Sequence, residues 1–349
     1  MARILAKCFQ RSFGSRSWRV VAMRFSLWTG CRDPHDAIKG MWIQAAARSI
    51  IASMRAVCRI LIVVSLAVAA AGAGHQTEPR LRIMATVLPL RDFAAAVAGE
   101  RAEASLLLPP GAEVHAWQPR PRDIAKLSEC DLLLHIGAGL EPWLAGLLKA
   151  FPKGRVRTFE ASAALAHSGP SGQAIDPHIW LDFGLDVLIV RRLAEELSRI
   201  APAGAAAFKA NAERLAGRLE ALDAAFSEGL ADCRGRDIVL AGHSAFGHLA
   251  GRYGLAQRAL YGLSPDARPK AKDLMEAIDF CRAKGIRTVF AENAVPPDLA
   301  DTLAREIKGR VLVLHTGHNL SREQLAEGLG FFDLMAENLA ALRDGLGCR

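Results

Sequence analysis

The sequence lacks the short signatures that usually announce a zinc enzyme or a thiolate zinc site. It has no H-E-x-x-H, so the helical two-histidine site of a metalloprotease is excluded. It has no G-x-S-x-G, so a serine nucleophile elbow is excluded as well. Cys130, Cys233, Cys281 and Cys348 follow residue 73, and none stands in a C-x-x-C pair, which argues against a cysteine zinc knuckle. Four cysteines allow three full pairings, among which spacing does not choose. Net charge is also missing where it would matter. The whole chain carries +8, but residues 1–53 hold +7 of it and 54–73 another +2, leaving 74–349 at −1. A nucleic-acid partner built on the overall basicity is therefore not expected.

The segment 54–73 reads MRAVCRILIVVSLAVAAAGA. Arg55 and Arg59 precede an apolar run from Ile60 to Ala73, and Ala71 and Ala73 supply small residues before Gly74. This is the pattern of a secretory signal, short for a comfortable membrane span. An N-terminal membrane anchor is the alternative. Cys58 lies ahead of the apolar run, so a lipoprotein anchor is not expected. Since a signal starts at its own methionine, 1–53 reads as upstream sequence from a misplaced start, with Met54 the real one.

Beyond the leader, strand-like and helix-like segments alternate. Strands are expected near 82–87, 104–108, 130–135 and 155–159, and again near 237–241, 256–261, 288–292 and 310–314. Helical segments lie between them, and a helix over 323–345 closes the chain. Such alternation predicts parallel α/β layers. Between the two sets, Phe208, Ala212, Leu215, Leu219, Leu222, Phe226 and Leu230 recur at steps of three and four. That spacing is one face of a long helix, roughly 40 Å in length. It suits a rigid connector between two α/β lobes, and equally an ordinary surface helix. The expected organisation is a leader at 54–73, an N-terminal lobe at 74–201, a linking helix at 202–232 and a C-terminal lobe at 233–349.

Nine histidines follow the leader. His243 and His315 each come directly after an expected strand, and His115 and His178 lie in loops that follow strands. Open α/β sheets gather ligands outside the carboxyl ends of their strands. Neutral imidazole is the commonest transition-metal ligand, and tetrahedral zinc needs four donors. Singly, each of these is an ordinary loop histidine. Together they suggest a site in the cleft between the lobes. His135 reads as a core histidine, His167 as a solvated loop residue, and His248 as a neighbour of the site. His243 and His248 are five apart, the wrong spacing for an i, i+4 zinc pair.

Five segments stand out: Gly111-Ala112-Glu113-Val114-His115 with Gln118-Pro119-Arg120-Pro121, Asp131 through Gly137 with Leu140-Glu141-Pro142-Trp143-Leu144, and Asp176-Pro177-His178-Ile179-Trp180-Leu181-Asp182. His243-Ser244-Ala245-Phe246-Gly247-His248 and Val289-Phe290-Ala291-Glu292 complete the set. In order and spacing they resemble the zinc/manganese solute-binding proteins of ABC transporters, the cluster A-I family. The resemblance runs from about 82 to 345. It implies two (β/α) lobes joined by a rigid backbone helix, with metal between them. It implies a periplasmic, monomeric, non-enzymatic receptor that hands Zn(II), its transported ligand, to a permease and ATPase. Carried over by position, His115, His178 and His243 are ligands. Members that prefer manganese or iron usually have a carboxylate at the third of these, so His243 favours zinc.

Two departures stand out. Where the family usually offers an aspartate after the last strand, this chain has His315, expected as the fourth donor. Water, Glu292 or His318 are the alternatives. The long His- and acid-rich loop of zinc-specific members is absent, since 161–175 holds only His167. Glu292 is expected to orient a ligand through its free ring N–H, and Trp117 and Trp180 to shield the site from water. The resemblance also implies a Cys281–Cys348 disulfide. Manganese or iron delivery is the nearest alternative function. A zinc hydrolase would need an open metal position and a general base, and a metal-binding adhesin would use the same fold without transport.

Overall fold

A computed structural model describes residues 80–165, 176–263, 270–292 and 298–349. The leader 54–73, the upstream 1–53, His75 and His167 lie outside the described residues.

Two four-stranded parallel sheets carry the fold. The first contains β1 (Leu81–Ala85), β2 (Ala102–Leu106), β3 (Leu132–His135) and β4 (Thr158–Glu160), in the order β2-β1-β3-β4. The second contains β5 (Asp237–Ala241), β6 (Ala256–Ala259), β7 (Thr288–Glu292) and β8 (Arg310–Leu314), in the equivalent order β6-β5-β7-β8. In each, the chain leaves the first strand to one side and returns to the other. This creates a switch point, where a crevice opens outside the carboxyl ends of the strands. The central strands β3 and β7 read LLLH and TVFAE, near-continuous apolar runs, because helices cover both faces of a parallel sheet.

The helices are α1 (Leu88–Ala98), α2 (Pro121–Ser128), α3 (Leu144–Leu148), α4 (Phe183–Ile200), α5 (Ala205–Gly229), α6 (Gly247–Arg252), α7 (Ala271–Lys284), α8 (Asp298–Glu306), α9 (Arg322–Ala326) and α10 (Phe331–Leu346). The 25 residues of α5 span roughly 38 Å. The helix buries Phe208, Ala212, Leu215, Leu219 and Phe226, the face marked by the three-and-four spacing. It is not alone. A tight turn at Pro202–Gly204 joins it to α4, which packs along it and which the sequence pattern had not isolated. The expected helix over 323–345 is broken into α9 and α10, because Gly328 takes a left-handed φ of 77° and Gly330 begins the next helix.

One apolar cluster runs from Ile83 and Leu133 of the first sheet, through Leu193 and Leu215 of the helix pair, to Ile238, Leu240, Phe331 and Leu342 of the second lobe. Alternate residues of β5, Val239 and Ala241, face a second, smaller cluster with Ile278 and Leu303. The two lobes thus share a core, and the long helix pair is its spine.

Cys233 pairs with Cys348, not Cys281 with Cys348. Cys233 lies just past α5 and Cys348 just past α10. The backbone brings them together as an antiparallel bridge, reinforced by Gly235 N–H to Leu346 O and Arg349 N–H to Asp232 O. Cys281 is a free thiol buried inside α7 and packed in the smaller cluster.

Candidate metal centre

Three histidines from separate loops meet in the crevice. His115 follows β2, His178 follows β4, and His243 is two residues past the end of β5. Their ring nitrogens all lie within 4.8 Å of one another, and all three residues are buried. His178 Nε2 is 3.1 Å from His243 Nε2 and 3.4 Å from His115 Nε2. Bare imidazole nitrogens this close are the arrangement of donors aimed at one cation.

Each histidine loop is fixed by its own local chemistry. Asp176 Oδ1 accepts the His178 backbone N–H at 3.0 Å, a short-range turn typical of aspartate, and lies 2.7 Å from His178 Nδ1. Ile179–Leu181 then forms a single 3-10 turn, and Asp182 caps α4 by accepting from Gly184 and Leu185. Helix α6 grips this loop from the other lobe. His248 Nε2 sits 2.9 Å from Asp176 O, and Arg252 bridges Asp182 at 2.8 Å and Asp223 of α5 at 2.6 Å. The His115 loop is held by Trp143, whose indole N–H donates to Val114 O. Glu113 Oε1 accepts the His115 N–H at 3.1 Å.

For His243 the sheet itself does the positioning. Register along β5 and β7 matches Leu240 with Phe290 and Ala241 with Ala291, so the next residue on β7, Glu292, lies across Gly242. Its carboxylate accepts the His243 backbone N–H and lies 2.7 Å from Nδ1. With Nδ1–H donated to a carboxylate, both His178 and His243 present the Nε2 lone pair inward, the carboxylate–histidine arrangement of metal sites. Among the described residues, no carboxylate is hydrogen-bonded to the His115 ring.

Burial dominates the electrostatics. It pulls His115 down to about 4 against the pull of Glu113, and it lowers His178 despite Asp176. His243 is the exception. Burial lowers it too, but the ion pair and hydrogen bond with Glu292 outweigh that and hold it above its ordinary value. Burial works against ionisation of Glu113 as well, yet the histidines around it, His318 first, keep its carboxyl below the ordinary value.

The loop after β8 separates the two histidines that follow it. His315 Nε2 is 2.8 Å from Glu337 of α10, and its backbone N–H and C=O both bind the Asn338 amide. It is not brought into the triad. His318 instead packs toward Glu113, and it too stands outside the group of ring nitrogens that lie within 4.8 Å of one another. Its carbonyl accepts from Leu88 N–H, Thr316 Oγ1 holds Nδ1 at 2.6 Å, and Nε2 is 3.7 Å from Glu113 Oε2. It is buried, and its charge opposes protonation of His115 and His178.

Trp180 lies against the site, its ring 5.4 Å from His178 and its N–H on Thr316 O, while Trp117 packs on Trp143 at 4.6 Å. His135 stands on β3 opposite Glu160, away from the triad. Asp176 was not singled out from the sequence. The signal for it was an acid two residues before a histidine of the group, in Asp176-Pro177-His178, repeated in Glu113-Val114-His115.

Comparison with known proteins identifies the family and the fold. The family described as "ZnuA: Zinc-uptake complex component A periplasmic" matches residues 83–345. The chain is 28% identical to "High-affinity zinc uptake system protein ZnuA" of Bacillus subtilis, over 83% of this chain and 95% of that protein. It is 31% identical to "Zinc-binding lipoprotein AdcA" of Streptococcus pneumoniae over 77% of this chain, spanning just over half (56%) of that longer protein. The crystal structure of the Zn(II)-bound ZnuA-like domain of the same AdcA superposes with a TM-score of 0.66 at 31% identity, covering 76% of this chain and 99% of that domain. With the match extending through both sheets, the helix pair and all three histidine loops, the chain is a member of the ZnuA family of zinc-uptake components.

Proposed function

We propose that this protein is the extracytoplasmic receptor of a zinc importer, capturing Zn(II) between its lobes and handing it to an ABC permease driven by its ATPase. The observation that carries this is the meeting of His115, His178 and His243, two of them with Nδ1 tied to a carboxylate. Zn(II) is the substrate, taken and released, and nitrogen donors favour it over manganese. His318 supplies the fourth donor in this reading, with the Glu113 carboxylate beside it offsetting charge. The leader 54–73 directs export and is removed, so the mature receptor begins near residue 74. N-terminal sequencing of exported protein checks that start. A competition titration with a chelator tests the function. One zinc per chain, bound tighter than manganese, is the expected result, and tighter manganese would sink the reading.

Two further outcomes follow from the carboxylates. Loss of an outer carboxylate behind a metal-bound histidine costs roughly 10–100-fold in affinity. Asp176→Asn and Glu292→Gln should each fall in that range at pH 8, measured by the same titration. The second outcome concerns pH. Zinc requires neutral imidazole. His115 and His178 are held low and have already lost their protons near neutrality, whereas Glu292 holds a proton on His243 above the ordinary histidine value. Zinc must displace that proton. Affinity should therefore fall as pH drops through the His243 pKa, by about tenfold per pH unit. In Glu292→Gln the fall should begin at lower pH, so its deficit narrows on acidification. A constant deficit from pH 8 to 6 would contradict the assignment of that proton.

A further inference from the structure

We propose that Gly242 is a positioning residue for metal affinity, its missing side chain being what lets Glu292 reach and hold His243. The proposal rests on the zinc-receptor reading and adds to it a residue that touches no metal.

Neighbouring parallel strands lie about 4.8 Å apart, so a side chain that crosses to the adjacent strand must pass over the residue opposite. The register puts Gly242 there, between Glu292 and the His243 ring. A Cβ built on Gly242 would lie 1.9 Å from Glu292 Oε1, 2.7 Å from Cδ and 2.9 Å from Cγ. Three consecutive atoms of Glu292 thus occupy the space of a methyl group. Glu292 is 4% exposed, and its carboxylate is already committed to the His243 backbone N–H and ring, so moving aside would break both contacts. The conformation of Gly242 does not itself demand glycine, for its φ is outside the left-handed region. Alanine would fit the backbone, and the three atoms its Cβ would meet first all belong to the Glu292 side chain. The effect of the substitution therefore reads the carboxylate contact.

Gly247 offers an internal comparison. Its Cβ would meet Asp176 Oδ2 at 2.6 Å, but the next atom of that side chain is 3.9 Å away. The Asp176 side chain is 22% exposed and can rotate aside at its tip. The same substitution in the same site should thus have unequal effects.

The test uses the mature receptor. Gly242→Ala should lower zinc affinity at least tenfold, and Gly247→Ala less than threefold. In a Glu292→Ala background Gly242→Ala should add less than threefold, because the colliding group is gone. Glu292→Asp shortens the side chain by one methylene, about 1.5 Å, so Gly242→Ala/Glu292→Asp should bind zinc more tightly than Gly242→Ala alone. The Nδ1 proton of His243 gives a readout without metal. Long-range 1H–15N correlation at neutral pH should show it hydrogen-bonded in the wild type and lost in Gly242→Ala. Gly242→Ala within twofold of wild type, additivity with Glu292→Ala, or no rescue by aspartate overturns the proposal. A wild type that binds no zinc overturns the receptor reading instead, while the Nδ1 proton still decides the role of Gly242. Should Gly242→Ala fail to fold, the rescued double variant and the Glu292→Ala pair carry the decision.

Discussion

Alanine at His178 is expected to lower zinc affinity by roughly 10²–10³-fold, with a folded metal-free protein. Zinc held by four protein ligands is worth about 10–16 kcal/mol, so one donor of four carries about 2.5–4 kcal/mol. His178 should sit at the upper end. Its Nε2 is the nitrogen that lies within 3.4 Å of both others. It is 1% exposed, so water reaches the vacated position poorly. Its removal also frees Asp176, leaving a carboxylate with no ring to orient. The contrast that gives the experiment its force is His315→Ala, expected to stay within about threefold. That imidazole is engaged by Glu337 and its backbone by Asn338, so its loss opens a contact between β8 and α10 rather than a coordination position. His318→Ala should lose tenfold or more. Chelator competition on the three variants, with thermal melts of each apo protein, checks all of this. Equal losses at His315 and His178 would restore His315 as the fourth donor and displace His318.

The difference between His315 and His318 marks where sequence reading stops. A histidine directly after a strand, or in the loop that follows one, belongs to the carboxyl end of a sheet, and that was enough to group His115, His178, His243 and His315. Which way a histidine faces within such a loop depends on how the loop is laced to distant chain. Here Leu88 N–H binds His318 O, Gly111 N–H binds Leu320 O, and the Asn319 amide binds Pro109 O and Ala112 O. Those partners lie more than two hundred residues away in sequence, and no local pattern encodes them. The long helix was legible because its buried face repeats at three and four. Its companion α4 was not, because it starts within the ligand segment, where Asp182 serves at once as the helix cap and as the partner of Arg252. Glu292 was visible as an acid at a strand end. Its route across Gly242 needed the register of two strands.

The disulfide leads to the second large effect, on stability rather than binding. Replacing Cys348 by serine should lower the unfolding free energy by up to about 5 kcal/mol, the chain-entropy value for a crosslink of this span. The bridge joins positions 115 residues apart and encloses every strand of the second sheet. For a folded part of this size, with an unfolding entropy near 2.1 cal/mol/K per residue, the melting temperature should drop by about 8–9 °C. Zinc affinity should stay within twofold. Cys233 precedes β5, whereas His243 follows it, so the bridge and the metal site lie at opposite ends of a strand roughly 17 Å long. Cys281→Ser is the control, since its thiol is packed in the smaller core and closes no loop. It should lose only the cost of a small polar change in an apolar pocket, about 1–3 kcal/mol, and it should not alter the response to reductant. Melts with and without reductant separate the two cysteines. Wild type should fall under reductant to the level of Cys348→Ser, and Cys348→Ser should not move further. If Cys281→Ser abolished the reductant response, the pairing would run through α7 and the tail would be tied to the smaller core.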